Sequence, residues 1–326
     1  MGLLVDGKWT EEEVNYGKRS EKGEYQRANS VVRDWVTADG APGPSGNGGF
    51  KAEPGRYHLY VAINCPWAHR TMMVRHLKGL EDIVGMSQTS PVRDDQGWVF
   101  LNDEDRFRDD LFGFDHLHQV YTRSDPGFTG RVTVPALWDK ERKVLVNNES
   151  SEIIRMFNSA FDGVGASGPE LYPENLRAEI DEINDVVYSN FNNGVYRSGF
   201  ATTQEAYEKA VGGVFDTLDL LEERLSTTRF LVGDAPTEAD WRLFPTLVRF
   251  DVAYHSAFKC NNKRIVDYPN LWAYTRELYQ SPGIAETVDL DTYRRGYHSA
   301  SVVRNPLGIV PLGPDLDFNE PIGPRP

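Results

Sequence analysis

One stretch limits the folds open to this chain more than any other: Tyr57-His58-Leu59-Tyr60-Val61-Ala62, then Ile63-Asn64-Cys65-Pro66, then Trp67 onward. The first run is apolar and rich in β-forming residues. The last reads as a helix ending near Gly79, a residue suited to closing it. Pro66 falls at the first helical position, where its missing N–H costs nothing and its fixed φ suits the helix. Cys65 therefore stands at a strand-to-helix junction, before the unpaired N–H groups and the positive dipole end of the helix. That setting favours a reactive thiolate. In a redox Cys-x-x-Cys pair the second thiol would be residue 68, which is Ala68. The chemistry is then single-thiol chemistry with a partner thiol from outside. A lone cysteine is more commonly a small buried hydrophobe; the proline and the junction favour reactivity here.

Two cysteines in 326 residues argue against a disulfide framework and for a reducing, cytoplasmic compartment. No apolar run approaches the roughly 20 residues of a membrane span. The first 16 residues, with Asp6, Lys8 and three consecutive Glu, have no signal-peptide core. The formal net charge of −14 disfavours nucleic acid and anionic membrane as partners. It suits solubility or, alternatively, a salt-rich cytoplasm. The histidines show no paired metal-ligand spacing, and no Gly-rich phosphate loop appears, so neither a metal nor a nucleotide cofactor is expected.

Residues 1–49 read as an extension ending in a Gly/Pro-rich link, Gly40 to Gly49. Its apolar anchors are Trp9, Tyr16, Tyr25, Val31, Val32 and Trp35. Residues 50–165 read as an α/β domain. It has a strand to Ala62, a helix to Gly79, and a strand over 83–88, which implies a parallel pair. A polar insertion, 91–130, is followed by strands over 133–139 and 143–147 and a helix opening at Glu149-Ser150. Residues 166–326 read as all-helical, with apolar positions at three- and four-residue steps over 176–191, 211–225 and 241–250, further helices at 269–279 and 291–298, and a Pro-rich tail. Thr237 with Asp240 reads as a capping box. His69 is expected on the exposed side of the first helix, and Cys260 as structural.

The motifs Asn64-Cys65-Pro66-Trp67-Ala68-His69-Arg70, Arg131-Val132-Thr133-Val134-Pro135-Ala136-Leu137-Trp138-Asp139 and Asn148-Glu149-Ser150-Ser151-Glu152, followed by an all-helical half, resemble the glutathionyl-hydroquinone reductases, the xi class of the glutathione transferases. The resemblance covers nearly the whole chain. It implies a thioredoxin-like domain followed by a helical bundle, and a homodimer. It implies that Cys65 takes glutathione from a glutathionyl-hydroquinone and is released by a second glutathione. No cofactor is then tightly bound; glutathione, or a relative such as γ-glutamylcysteine, is the co-substrate.

By the same resemblance Pro135 is cis and Val134 pairs with the cysteinyl part of glutathione. Ser150 takes its γ-glutamyl carboxylate and Glu149 its ammonium. Trp98, Arg131, Val132 and Thr133 line the same seat. Glu149 and Ser150 also read simply as helix capping residues, and Trp98 as a small hydrophobic anchor. Tyr196, Tyr254 and Tyr297 match the family's tyrosines facing the cysteine, with Tyr196 as proton donor to the leaving hydroquinone. Among 15 tyrosines, three on helices are otherwise ordinary packing residues. Two rival functions remain open: an omega-like thiol transferase or dehydroascorbate reductase, and a non-catalytic transferase-like binding module.

Overall fold

The computed structural model describes residues 3–10, 18–299, 301 and 304–326. Two short hairpins open it: β1 (Leu3–Val5) with β2 (Lys8–Thr10), and β3 (Lys18–Arg19) with β4 (Tyr25–Gln26). They are too short for alternation to mark them. The first is built on Asp6-Gly7, both at positive φ (48° and 72°), as a two-residue hairpin loop requires. Of the expected anchors, Tyr25 is buried, and Tyr16 lies outside the described residues. Packing divides the chain into two units, Met1–Asn15 with Ala28–Glu170, and Tyr16–Arg27 with Leu171–Pro326. The extension is thus shared between them.

The first unit runs β5 (Tyr57–Ala62), α1 (Pro66–Leu77), β6 (Gly85–Thr89), α2 (Leu117–Ser124), β7 (Ala136–Asp139), β8 (Val144–Asn147), α3 (Ser150–Ser159). Its sheet has the order β6-β5-β7-β8. β5 pairs parallel with β6 and antiparallel with β7, and β7 antiparallel with β8. Every residue of β5 is buried, as expected of a central strand covered on both faces. β7 begins after Pro135 rather than at Thr133, because proline has no N–H for the ladder. β6 starts two residues late, since Ile83 and Val84 close the turn onto Leu80. In the polar insertion the buried Asp109 accepts from Leu111 N, Phe114 N and Tyr60 Oη at 3.0–3.1 Å, so the loop satisfies its own backbone. The unexpected α2 rests in that insertion on a His116–Gln119 capping box.

The second unit is helical: α4 (Arg177–Val186), α5 (Gly194–Gly199), α6 (Gln204–Leu225), α7 (Glu238–Arg249), α8 (His255–Ala257), α9 (Pro269–Tyr279) and α10 (Leu290–Tyr297). Thr237 and Asp240 form the expected capping box. Two π-helical turns interrupt the bundle, Val187–Asn192 after α4 and Phe250–Tyr254 after α7. They meet through Phe191 and Phe250, stacked at 5.7 Å. No described helix is long and apolar enough to cross a membrane. Within the tail, Phe318 is buried against Trp272 and Tyr279.

Candidate active site

Cys65 is the N-cap residue of α1, in extended conformation, with Pro66 at the first helical position. Its own N–H bonds Ala62 O at 2.9 Å, and its carbonyl accepts from His69 N at 3.0 Å, so the backbone is held from both sides. The half-buried thiol points at the Val134 carbonyl, 3.6 Å away. Ala68, one turn on, is fully buried. His69 is also fully buried, against expectation. α1 is covered almost all round, by residues both polar and apolar, so no apolar stripe distinguishes its inner face.

The Val134–Pro135 bond is cis. Val134 sits just ahead of β7, where its N–H has no partner among the described residues. Across from it begins α3. Glu149 is the N-cap residue, its carboxylate accepting from Ser151 N (3.1 Å), Ser151 Oγ (3.0 Å) and Ser30 Oγ (3.0 Å). Burial works against its charge. The bonds from Ser151 and Ser30 and the nearby Arg70 outweigh that and hold the carboxyl below its ordinary range. Ser150, at the first helical position, is 3% exposed, yet neither its N–H nor its hydroxyl has a partner among the described residues. A buried serine with two uncommitted donors at a helix N-terminus is prepared for an anion.

The other expected lining residues share this unit. Thr133 accepts from Tyr121 Oη at 2.8 Å through its carbonyl and from Asn148 Nδ2 at 3.2 Å through its hydroxyl. Val132 is buried, and Arg131 half-buried. Trp98 is buried, with the Arg93 guanidinium 3.8 Å from its ring centroid. Sequence reasoning missed Tyr121, Asn148, Ser30 and Arg70. Asn148 also bonds Tyr121 Oη (3.2 Å) and takes Val32 N (3.1 Å). It thereby ties the loop before β7 to the extension. Only its place next to Glu149 could have flagged it.

In the second unit the three expected tyrosines converge from three separate elements. Tyr196 comes from α5, Tyr254 from a π turn and Tyr297 from the end of α10. Tyr297 Oη lies 2.7 Å from Tyr196 Oη and 3.0 Å from Tyr254 Oη. Phe258 packs against all three rings, at 5.3, 5.4 and 5.6 Å. Burial, followed by the neighbouring phenols, raises Tyr254 and Tyr297 well above the ordinary tyrosine range, with the charge of Arg249 opposing. Tyr254 and Tyr297 therefore stay protonated at neutral pH. Tyr297 thus bridges the other two hydroxyls.

Cys260 is fully buried, and burial pushes its thiol up to about 12, the inert state expected of a structural cysteine. His116 and His118 stack on each other, and His116 is paired with Asp94. No cluster with metal-ligand composition occurs among the described residues.

The glutathione S-transferase N-terminal domain family matches residues 64–160 and its C-terminal domain family residues 204–277. Glutathionyl-hydroquinone reductase YqjG of Escherichia coli (strain K12) is 50% identical over 99% of this chain and 98% of its own. Glutathionyl-hydroquinone reductase PcpF of Sphingobium chlorophenolicum is 51% identical over 96% of each. The glutathione-bound structure of YqjG, a glutathione transferase homolog from Escherichia coli K-12, matches with a TM-score of 0.90 and 48% identity, over 99% of this chain and 98% of that one. A Xi class structure from Natrialba magadii matches at 0.87 and 44%, over 98% and 95%. The chain belongs to the xi class of the glutathione transferases, the glutathionyl-hydroquinone reductases.

Proposed function

We propose that this protein reduces S-glutathionyl-hydroquinones to hydroquinones at the expense of glutathione, with Cys65 as the nucleophile. The Cys65 thiolate attacks the glutathionyl sulfur of the conjugate. A Cys65–glutathione disulfide forms as the sulfur–carbon bond breaks. The electron pair of that bond passes to the ring carbon, which takes up a proton and leaves as the hydroquinone. A second glutathione then attacks the mixed disulfide, releasing glutathione disulfide and restoring the thiolate. The ring carbon gains two electrons, supplied by the conjugate's glutathionyl sulfur and the thiol of the second glutathione, which end joined as the disulfide.

The observation that carries this reading is Cys65 as the N-cap of α1 beside Val134, with Ala68 where an internal resolving thiol would stand. Supporting it, the uncommitted donors of Ser150 suit the γ-glutamyl carboxylate, and the ionised Glu149 suits the ammonium. The Val134 backbone takes the cysteinyl main chain beside Pro135, and Trp98, Arg131, Val132 and Thr133 line the seat. The phenols Tyr196, Tyr254 and Tyr297 supply the proton and bond the phenolic oxygens, with Tyr196 as donor. No tightly bound cofactor enters. The same reading carries a cytoplasmic homodimer, which light scattering in solution tests.

The core claim is tested by intact mass after incubation with glutathionyl-menadiol. Wild type gains one glutathione and releases the quinol; Cys65→Ser gains nothing. No adduct on the wild type would overturn the proposal and favour a binding module. An adduct from glutathione disulfide but none from the conjugate would favour a disulfide-directed thiol transferase.

A further inference from the structure

Three hydroxyls meet in the tyrosine cluster, and the assignment of Tyr196 as acid needs a physical reason why that phenol gives up its proton. The reason lies in the extension. The β3–β4 hairpin is fastened to the helical unit at several points. Thr202 N bonds Gly23 O at 3.1 Å, Thr203 Oγ1 bonds Lys22 O at 2.7 Å, and Lys209 pairs with Glu24 at 2.8 Å. The Tyr25 ring lies 5.3 Å from that of Phe200. Gly23 has φ +81°, and a Cβ there would stand 2.7 Å from Thr202 Oγ1 and 2.8 Å from Thr203, so the hairpin tip is moulded to the start of α6. Immediately after β4 comes Arg27. Its Nε donates to Asn193 Oδ1 at 2.8 Å, and its guanidinium carbon lies 4.7 Å from the centroid of the Tyr196 ring. Asn193 is the residue that leads into α5, which carries Tyr196. Cation and phenol are therefore fixed to the same helical turn.

We propose that Arg27 is a positioning residue for the reaction, making Tyr196 the acid of the cluster. The inference rests on the function proposed above. As Tyr196 passes its proton to the leaving ring carbon, negative charge grows on its oxygen and spreads into its ring. A guanidinium on the ring face attracts that charge, while Tyr297 Oη, 2.7 Å away, donates to the oxygen. Both interactions strengthen as the proton leaves, so they act on the transition state rather than on substrate binding. A segment of the N-terminal extension, packed into the second unit, thereby supplies a charge to the chemistry.

The test compares two reactions of the same thiol. Release of hydroquinone from its glutathionyl conjugate needs a proton on carbon. Exchange with bis(2-hydroxyethyl) disulfide, with glutathione present, does not. Arg27→Gln is expected to lower kcat for the conjugate by roughly three- to thirtyfold at unchanged KM, and to leave disulfide exchange intact. Arg27→Lys is expected to recover most of the loss. The loss should shrink with conjugates of chlorinated hydroquinones, whose leaving carbon needs less help from an acid. An unchanged kcat in Arg27→Gln, or equal losses in both reactions, would overturn the proposal. Should Arg27→Gln fail to fold, Asn193→Ala, which unties the guanidinium but keeps the charge, is expected to give a smaller loss confined to the conjugate; a loss in both reactions overturns the role. A wild type active on the disulfide and inactive on the conjugate refutes instead the function proposed above, before any variant is made.

Discussion

Ser150 and Tyr196 divide the proposed reaction between binding and chemistry, and their replacements should separate accordingly. Ser150→Ala removes a buried hydroxyl donor from an anion seat, a loss of about 1–2 kcal/mol. The expected outcome in steady-state kinetics is a KM for glutathione raised about tenfold with kcat little changed. Tyr196→Phe removes a proton donor while keeping the ring. Turnover of glutathionyl-menadiol should fall about a hundredfold, and the Cys65 adduct formed from glutathione disulfide should be unaffected. An unchanged turnover would remove Tyr196 from the mechanism. Cys65 was legible because proline and a strand–helix junction sit next to it in sequence. Ser150 was legible as a cap, but its uncommitted donors appear only once the neighbouring bonds are drawn. Arg27 was illegible, since nothing in Tyr25-Gln26-Arg27 announces a phenol 169 positions away. His69 was misplaced because a helix buried on every side has no inner face to read.

The elements follow the same logic. α4 and α6 were legible through three- and four-residue spacing, and α7 through its Thr237–Asp240 cap. The π turns were not, because Ile183, Val187 and Phe191 keep the four-residue step of an ordinary helix. They nonetheless decide where Tyr196 and Tyr254 point, one turn leading into α5 and the other ending at Tyr254. The junction of α5 with the aromatic cluster is tight: a Cβ on Gly199 would stand 2.3 Å from Phe258 Cγ. Gly199→Ala must therefore displace the ring that packs on all three tyrosines. The expected result is a loss of turnover on glutathionyl conjugates well beyond any loss of stability, with glutathione binding, proposed above for the first unit, unchanged by calorimetry. The short hairpins escaped periodicity altogether, although Asp6-Gly7 was a visible turn signal.

Across the whole molecule, the buried groups of the two units most shifted within the acid range should answer acid in opposite ways. In β5, His58 is buried against Ser87 Oγ at 2.9 Å, and burial lowers its pKa to about 4. The folded first unit refuses a proton that the unfolded chain accepts near 6.5. Its stability is therefore full above that pH and falls as pH drops from 6.5 to 4, by on the order of 3 kcal/mol. Glu149, held below its ordinary range, adds to the loss at lower pH. In the second unit, burial raises Asp251 to about 6, despite bonds from Ile265 N and Val266 N, and raises Asp240. These carboxyls keep protons that the unfolded chain has lost and so add stability over the same descent, against the imidazoles there, His255 and His298, whose pKa values burial lowers. Hydrogen exchange read by mass spectrometry at pH 7 and pH 4.5 should show protection falling in the β5–β8 sheet and holding or rising in α7 and α9. His58→Gln should flatten the first response and Asp251→Asn the second. The order of the two units was legible; their opposed titration depends on which polar groups the folds happen to enclose.

Ala68 has a consequence for the protein in a cell. On the mechanism proposed above, a molecule with no second thiol one turn from Cys65 has no internal way back from its capped state. Each turnover ends only when a free thiol arrives, so the capped fraction rises as the thiol pool is drained. Under oxidative load the activity then switches off while the protein persists, its nucleophile shielded from further oxidation by the peptide it carries, and it resumes when the pool is refilled, without new synthesis.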